Sequence, residues 1–206
     1  MRSARSILVL SGAGASAESG VPTFRGQGGL WREFRPEELA TATAFARNPK
    51  LVWEWYMWRR ELVRQASPNH GHYALAALEA EYEEFTLVTQ NVDGLHQRAG
   101  SRNVIEIHGN IMRSRCFSCG VQTGEVAFTA CRDEDGQLPG CECGGLVRPD
   151  VVWFGELLPP QVLKRAWDAA ARAQVFLSVG TSSAVQPAAG LADIAGRAGA
   201  YLVEIN

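Results

Sequence analysis

The chain has 206 residues, of which 46% are hydrophobic and 20% charged, and its formal net charge is −2 at pH 7. These proportions are typical of a globular protein with one ordinary core. The near-neutral charge excludes the basic surface by which proteins bind nucleic acid directly, and no apolar run approaches the ~20 residues of a membrane-spanning helix.

The first motif follows a short apolar strand, predicted over residues 7–10, that ends in a run of small residues. Gly12, Gly14 and Ala17 fit the G-x-G-x-x-G/A turn that binds dinucleotides. Small residues let backbone N–H groups approach a phosphate closely, although the same composition also serves simply to pack a helix on a sheet. The N-terminus is basic and then apolar, like the start of a signal peptide, but its apolar run is too short for one. We therefore expect a cytoplasmic protein.

The next segment is predicted to be helical and rich in aromatic residues. Pro36 favours a helix beginning at Glu37, and Asn48 followed by Pro49 favours a longer helix over residues 51–65. In that longer helix, apolar residues at helical spacing predict the face that packs on the core. These residues are Leu51, Trp55, Trp58 and Leu62.

Tyr56 and Arg59 lie three residues apart in the longer helix and therefore share one face. From the spacing alone, the ordinary interpretation is a packing tyrosine beside a solvated arginine, because such pairs occur on any helix. After a break at residues 67–69, a further helix is predicted through His72 to about Tyr82.

Four more short apolar strands are predicted, over residues 85–89, 104–107, 175–179 and 201–205. Strands that alternate with helices predict a mostly parallel sheet, in which ligands bind beyond the carboxyl ends of the strands. Polar or small residues follow every strand, and this pattern predicts a binding site. Alternatively, Asn91 or Asp93 caps the helix that follows it.

A dehydrogenase is the natural competitor for such a fold. Its second strand ends about 20 residues past the glycines in an acidic residue that holds the ribose. Here that window contains Glu33 but no run of β-forming residues. The turn is therefore present without the βαβ unit that would follow it, and a dehydrogenase is not expected.

Among the four histidines, His108 alone is predicted to face the crevice, because it directly follows a strand. A neutral imidazole there would be able to take a proton from a ribose hydroxyl. The alternative is a histidine that only packs. His70 and His72 flank a helix start, and His96 is expected to pack or cap.

Four of the five cysteines form two close pairs, Cys116 with Cys119 and Cys141 with Cys143, each near a glycine turn. This spacing is typical of a zinc ribbon, in which four thiolates surround the metal and leave no position open for catalysis. The metal is therefore expected to hold a lobe together. The alternative is a set of unrelated free thiols, and Cys131 is either a replacement ligand or a bystander.

Seven segments, taken together, resemble the sirtuins, which are NAD-dependent protein-lysine deacylases. They are residues 12–16, 20–26, 90–96, 108–110, 151–156, 180–183 and 204–206, with the cysteine pairs between the fourth and fifth. The resemblance covers nearly the whole chain. It implies an α/β fold, a Rossmann-type parallel-sheet domain with a smaller lobe made of a zinc ribbon and a helical insertion.

The same resemblance implies a single catalytic domain over residues 1–206. Its Rossmann part would comprise residues 1–30, 76–112 and 149–206, with the helical part of the lobe at 31–75 and the zinc ribbon at 113–148. Family members usually continue past the Glu-Ile-Asn strand with a further strand and helix that help cover the adenine, whereas this sequence stops at Asn206. We expect either a truncated chain or a shorter variant.

The resemblance also assigns roles to individual residues. The NAD-binding residues it implies are Gly12, Ala13, Gly14, Ala15, Thr23, Phe24, Arg25, Gln90, Asn91, Asp93, Gly180, Thr181, Ser182 and Asn206. The catalytic residues would be His108, as general base, and Asn91. The substrate peptide would pair by strand addition with Val152, Trp153 and Phe154, and zinc would be held by Cys116, Cys119, Cys141 and Cys143.

In the implied reaction, the acyl-lysine carbonyl oxygen attacks the ribose carbon of NAD as nicotinamide leaves, and the acyl group moves to ADP-ribose. Tyr56 and Arg59 stand at the Tyr-x-x-Arg positions of class III sirtuins, which accept acidic acyl groups such as succinyl. Ala40 matches the small residue that widens their acyl pocket. On this resemblance the pair becomes a charge-assisted clamp for a terminal carboxylate.

We therefore predict an NAD-dependent deacylase that removes succinyl, malonyl and acetyl groups from lysine in proteins or peptides, with NAD and zinc as cofactors. It would release nicotinamide and O-acyl-ADP-ribose, act as a monomer, and contact neither membrane nor nucleic acid. Two alternatives use the same NAD site: a non-catalytic module that binds ADP-ribose or acyl-lysine, and a protein mono-ADP-ribosyltransferase.

Overall fold

The computed structural model describes residues 4–23, 29–30, 35–124, 138–182 and 184–206. The strands in these ranges are β1 (Ser6–Ser11), β2 (Glu84–Thr89), β3 (Val104–Glu106), β4 (Gly109–Cys116), β5 (Gln122–Gly124), β6 (Val147–Val151), β7 (Val175–Val179) and β8 (Tyr201–Ile205). The helices are α1 (Pro36–Leu39), α2 (Ala42–Arg47), α3 (Pro49–Gln65), α4 (His70–Ala80), α5 (Leu95–Arg98), α6 (Pro160–Arg172) and α7 (Gly190–Arg197).

The five strands predicted from the sequence form one parallel sheet, in the order β3-β2-β1-β7-β8. The two faces of the central strand β1 are both covered. Ile7 and Val9 pack with Leu75 of α4, whereas Leu8 and Leu10 belong to a cluster that includes residues of α6 and α7. Burial on both faces explains why these strands are continuous apolar runs instead of alternating patterns. The predicted Rossmann-type sheet is confirmed.

A second, antiparallel sheet has the order β5-β4-β6 and carries the cysteine pairs. A separate hydrophobic cluster joins it to α2 and α3 through buried residues such as Phe45, Trp53, Val147 and Trp153. This is the predicted smaller lobe of ribbon and helices. No helix in the described part of the chain combines the length and apolar character of a membrane span.

The longer predicted helix forms as α3, and the side chain of Asn48 caps it by accepting a hydrogen bond from the N–H of Leu51 at 3.2 Å. The prediction of which residues of α3 face the core is largely wrong. Leu51 is 43% exposed and Trp58 41% exposed, whereas Trp55 is buried. The buried face of the helix comprises Val52, Trp53, Trp55, Tyr56, Met57, Arg59, Arg60 and Val63.

The physical reason is that α3 is contacted by α2 and also by β4 and β6. A helix held between such neighbours buries a broad face, which includes two arginines that hydropathy assigns to solvent. Arg60 is fully buried and donates to the carbonyls of Ile111 (2.6 Å) and Arg113 (2.8 Å). Arg59 is only 6% exposed, so the interpretation of a solvated arginine is wrong.

The boundaries between the two parts stay a prediction, and two features bear on them. Helix α4 begins at His70, inside the range assigned to the lobe, but packs through Leu75 on the parallel sheet. Strands β4 and β6 of the ribbon begin at Gly109 and end at Val151, inside ranges assigned to the Rossmann part. The antiparallel sheet therefore reaches directly to the crevice.

Candidate active site

A cavity of about 1100 Å³ lies along the carboxyl ends of the parallel strands, and its lining residues come from both the sheet and the smaller lobe. Its wall contains most of the predicted site residues: Gly12, Ala13, Gly14, Thr23, Ala40, Tyr56, Arg59, Gln90, Asn91, His108, Val152, Trp153, Phe154, Gly180, Thr181, Ser182 and Asn206. Ala15 and Asp93 are not in the wall. Phe24, Arg25 and the fifth cysteine, Cys131, lie outside the described residues.

The glycine turn is packed against the exit of β7. The N–H of Gly12 donates to the carbonyl of Val179 at 3.0 Å, and that of Gly14 donates to the carbonyl of Gly180 at 2.8 Å. A Cβ at Gly12 would lie 2.8 Å from the same Gly180 oxygen. These glycines therefore permit two strand exits to touch, and their amides are bound within the protein instead of facing a phosphate.

Asp93 lies behind the wall and positions Asn91. Its two carboxylate oxygens accept from Ser16 Oγ (2.8 Å) and from the N–H of Leu95, the first residue of α5 (2.9 Å). Asn91 Nδ2 donates to Ser16 Oγ and to the carbonyl of Gly12, both at 3.0 Å. With both amide donors used, the group that Asn91 offers the cavity is its side-chain oxygen. The N-cap residue of α5 is Gly94, so neither Asn91 nor Asp93 is the cap, although Asp93 accepts from the first N–H of the helix.

The exits of three strands are joined by side chains across the top of β1. Gln90, after β2, donates from Nε2 to Thr181 Oγ1 at 2.8 Å. Asn206, after β8, donates to the carbonyl of Thr181 at 3.4 Å. These bonds link the exits of β2, β7 and β8 at the edge of the sheet that lines the cavity.

His108 is held by the backbone of Gln90, whose carbonyl oxygen lies 3.1 Å from Nδ1. A carbonyl only accepts, so Nδ1 carries the proton and Nε2 is the nitrogen able to take one up. Burial lowers the pKa of His108, and the hydrogen bond to Gln90 opposes this shift. The imidazole is therefore neutral at neutral pH, as a general base must be.

The lobe contributes a cationic corner to the cavity. Tyr56 is 2% and Arg59 6% exposed, and the guanidinium carbon of Arg59 lies 4.9 Å from the ring centre of Trp55 and 5.8 Å from that of Tyr56. Burial raises the pKa of Tyr56, although Arg59 opposes the shift. Burial also lowers the pKa of Arg59, against the opposing effects of Tyr56 and Asp93.

Such a corner suits an anionic ligand. A guanidinium stays charged even when it is buried, and carboxylates are the partners that match its geometry. Ala40, which is 6% exposed, lines the same cavity and occupies little volume.

The predicted peptide-pairing segment already uses its backbone donors. The N–H of Val152 donates to the carbonyl of His108, and that of Phe154 to the carbonyl of Ala40, both at 2.9 Å. The N–H of Trp153 donates to Glu156 Oε2 at 2.8 Å. A peptide strand added here would therefore have to pair with other backbone groups of this segment.

One apolar part of the cavity wall was not predicted from the sequence. Leu157, Leu163, Trp167, Val185 and Pro187 give it an apolar stretch. Leu163 and Trp167 are four residues apart on α6 and so share one face, and Trp167 stays 43% exposed. That spacing was the available signal.

The four predicted cysteine ligands come together, with all their sulfurs within 4.8 Å of one another. The Sγ atoms of Cys116 and Cys143 are 3.5 Å apart, and those of Cys119 and Cys141 3.8 Å apart. Tetrahedral zinc with Zn–S bonds of about 2.3 Å requires sulfurs about 3.8 Å apart, so the set fits zinc.

Comparison with known proteins finds matches to one family, both by sequence and by structure. The family model that matches this chain is described as the Sir2 family and covers residues 12–187. An NAD-dependent protein deacylase of Aquifex aeolicus is 57% identical over 201 residues, which are 97% of this chain and 82% of the relative.

Two solved structures of similar proteins contain ligands. A Sir2 homologue–NAD complex superposes with a TM-score of 0.88 at 51% identity, covering 99% of this chain and 78% of that one. A histidine-to-alanine Sir2 mutant with deacetylated p53 peptide and 3′-O-acetyl ADP ribose gives a TM-score of 0.86 at 35% identity, covering 100% and 83%.

Proposed function

The chain belongs to the Sir2 family, and we propose that this NAD-dependent protein deacylase acts on lysines that carry an acidic acyl group. Succinyl- and malonyl-lysine are its proposed substrates, with acetyl-lysine also accepted. The observation that carries this specificity is the buried pair Tyr56 and Arg59 in the wall of the same cavity as His108.

NAD is the co-substrate, and the chain's own residues fit it. The turn at Gly12 to Gly14 and the exits at Gly180 to Ser182 and Asn206 line one continuous wall with Gln90, Asn91 and His108. These residues are proposed to bind the nucleotide. When bound, NAD supplies the reactive bond between ribose and nicotinamide.

The protein's proposed part in the reaction is positioning and proton transfer. His108 would accept a hydroxyl proton at Nε2, because its Nδ1 proton is held by the carbonyl of Gln90. Asn91 would offer its side-chain oxygen to the nicotinamide or ribose end. The position of Asn91 is fixed from behind by Ser16, which Asp93 binds in turn.

The acidic acyl preference follows from where Arg59 is buried. A guanidinium in the wall of a cavity matches a carboxylate in both charge and geometry. A terminal carboxylate on the acyl chain would form a charge-assisted bond with it and a second bond with the phenol of Tyr56. An acetyl group reaches the same cavity but leaves these interactions unmade.

The experiment that tests the proposal incubates one peptide sequence, carrying acetyl-, malonyl- or succinyl-lysine, with the protein and NAD. Mass analysis should show all three acyl groups removed only when NAD is present, with kcat/KM highest for the acidic groups. Removal of acetyl alone would contradict the proposed specificity. Removal of none, without nicotinamide release, would favour a module that only binds.

We further propose that the protein works in the cytoplasm, which the thiol cluster supports, because such thiols persist in a reducing compartment. Monomeric state stays a prediction, to be measured by light scattering.

A further inference from the structure

The phenol of Tyr56 receives a hydrogen bond from a residue of the opposite loop. Trp153 Nε1 lies 2.8 Å from the Tyr56 hydroxyl oxygen, and both side chains are buried. An indole N–H only donates, so the direction of this bond is fixed. The Tyr56 oxygen is the acceptor, and its own hydrogen is left to point elsewhere.

The charge state of Tyr56 supports the same conclusion. Burial raises the pKa of the phenol above its usual value, and Arg59 only opposes the shift. The hydroxyl hydrogen is therefore present at neutral pH, and a protonated phenol beside a guanidinium is a second donor for an anion.

We propose that Trp153 is a positioning residue for acyl specificity. Its indole N–H occupies the acceptor side of the Tyr56 oxygen, so that the phenol O–H is directed, with Arg59, at the terminal carboxylate of a succinyl- or malonyl-lysine. This inference rests on the proposed function and adds a residue that acts through Tyr56.

Trp153 is itself held in place from several sides. The guanidinium carbon of Arg148 lies 3.2 Å from the centre of the indole ring. Glu156 accepts from the backbone N–H of Trp153 at 2.8 Å and from Arg148 Nη2 at 3.1 Å. Phe45 packs against the indole with ring centres 5.4 Å apart. The indole is thus fixed by groups other than its bond to Tyr56, as a residue that orients another must be.

The chain offers a closely matched control tryptophan. Trp53 is fully buried, donates from Nε1 to the carbonyl of Val147 at 2.7 Å, and lies under the guanidinium of Arg60 at 5.1 Å. It does not line the cavity. Trp53→Phe therefore removes the same kind of buried hydrogen bond but leaves the bond between Trp153 and Tyr56 in place.

The test compares kcat and KM for succinyl- and acetyl-lysine forms of one peptide. Trp153→Phe should lower the ratio of succinyl to acetyl kcat/KM about fivefold, as the loss of one hydrogen bond implies, mainly through a higher KM for the succinyl peptide. Trp53→Phe should leave the ratio unchanged. Equal effects of Trp153→Phe on both peptides would overturn the proposal.

A double-mutant cycle with Tyr56→Phe shows whether Trp153 acts through the phenol. In the Tyr56→Phe background, Trp153→Phe should change the ratio no further, and an undiminished effect would overturn the proposal. If Trp153→Phe does not fold, benzothienylalanine at position 153 keeps the shape of tryptophan without its N–H and should give the same shift. If the unmodified protein removes no succinyl group, the proposed specificity is overturned as well. If the unmodified protein removes succinyl groups and Trp153→Phe has the same ratio of succinyl to acetyl kcat/KM, only the role of Trp153 is overturned.

Discussion

At the scale of single residues, the proposed specificity and chemistry depend on side chains whose surroundings in the protein give them properties they lack in water. Arg59 and His108 both line the cavity, one as a buried cation and the other as a half-buried imidazole whose pKa is lowered. Each has a consequence that a single substitution or a pH series can measure.

Arg59→Ala should lower kcat/KM for a succinyl-lysine peptide about a hundredfold, the value of a charge-assisted bond lost from a buried site, and lower deacetylation far less. The matched control is Arg64→Ala, on the same helix, where the side chain is 34% exposed. That control should leave both activities near those of the unmodified protein. Steady-state kinetics on the two peptides measures the difference, and an equal loss on both would count against the clamp.

The pH dependence should report His108. A general base works only when it is neutral, and burial lowers the pKa of this imidazole below its ordinary 6.5. Activity should therefore persist as pH falls through 6.5 and decline only at lower pH, as Nε2 becomes protonated. A profile of kcat/KM against pH measures this, and an acid limb centred above 6.5 would show that another group controls the reaction.

At the scale of elements, the glycine turn after β1 and the exit of β7 form a single packed unit. Gly180 has φ +57°, and a Cβ there would lie 2.2 Å from the backbone nitrogen of Ala15. A side chain at Gly180 would force the two loops apart, so we expect both stability and NAD binding to depend on this contact.

Gly180→Ala should lower the free energy of unfolding by more than about 2 kcal/mol and weaken NAD binding at least about tenfold, because the left-handed backbone and the clash add together. Gly199→Ala is the control, since Gly199 has φ +91° but nothing within 4 Å of the added Cβ. It should cost only the backbone strain, about 1–2 kcal/mol, and leave NAD affinity unchanged. Denaturant unfolding and NAD titration measure both effects, and equal NAD affinities in the two variants would refute the coupling.

The sequence predicts well those elements whose side chains all meet the same surroundings, because their hydrophobic pattern is then uniform. The strand at residues 175–179 is an uninterrupted apolar run buried on both faces, and it forms as predicted. The buried face of α3 was missed because several neighbours cover it. Arg60 is fully buried there and donates to backbone carbonyls of β4. These acceptors lie far from Arg60 in the sequence, so no local pattern predicts them.

The same limit applies within the site. His108 was predictable because it follows a strand whose carboxyl end opens on the crevice. The bond between Trp153 and Tyr56 joins residues 97 positions apart, so spacing carries no information about it. The engagement of the amides of Val152 and Phe154 likewise depends on loops that meet only in the fold.

At the scale of the whole molecule, the thiol cluster is joined to the cavity through aromatic packing. Phe117 lies between two of the ligating cysteines, and its ring centre is 5.1 Å from that of Phe45 and 6.5 Å from that of Trp153. A metal bound by these cysteines would therefore support the loop that carries Trp153 as well as the ribbon itself.

Cys143→Ser should reduce the zinc content from one ion per chain, lower the unfolding temperature, and diminish deacylation of every peptide, because the ribbon loses a ligand. Cys131→Ser is the control, and it should retain the metal if the four clustered cysteines are the complete set. Elemental analysis of the purified proteins decides this. Zinc lost from Cys131→Ser and kept in Cys143→Ser would mean that the ligand set is different.

The most direct single measurement follows one reaction of a succinyl-lysine peptide with NAD and counts NAD consumed, nicotinamide released and lysine freed. We expect equal amounts of all three, no freed lysine without NAD, and no turnover by His108→Ala, a variant that should still bind NAD. NAD consumed while the peptide stays succinylated, with the label from NAD appearing on protein, would contradict a deacylase and indicate ADP-ribosyl transfer instead.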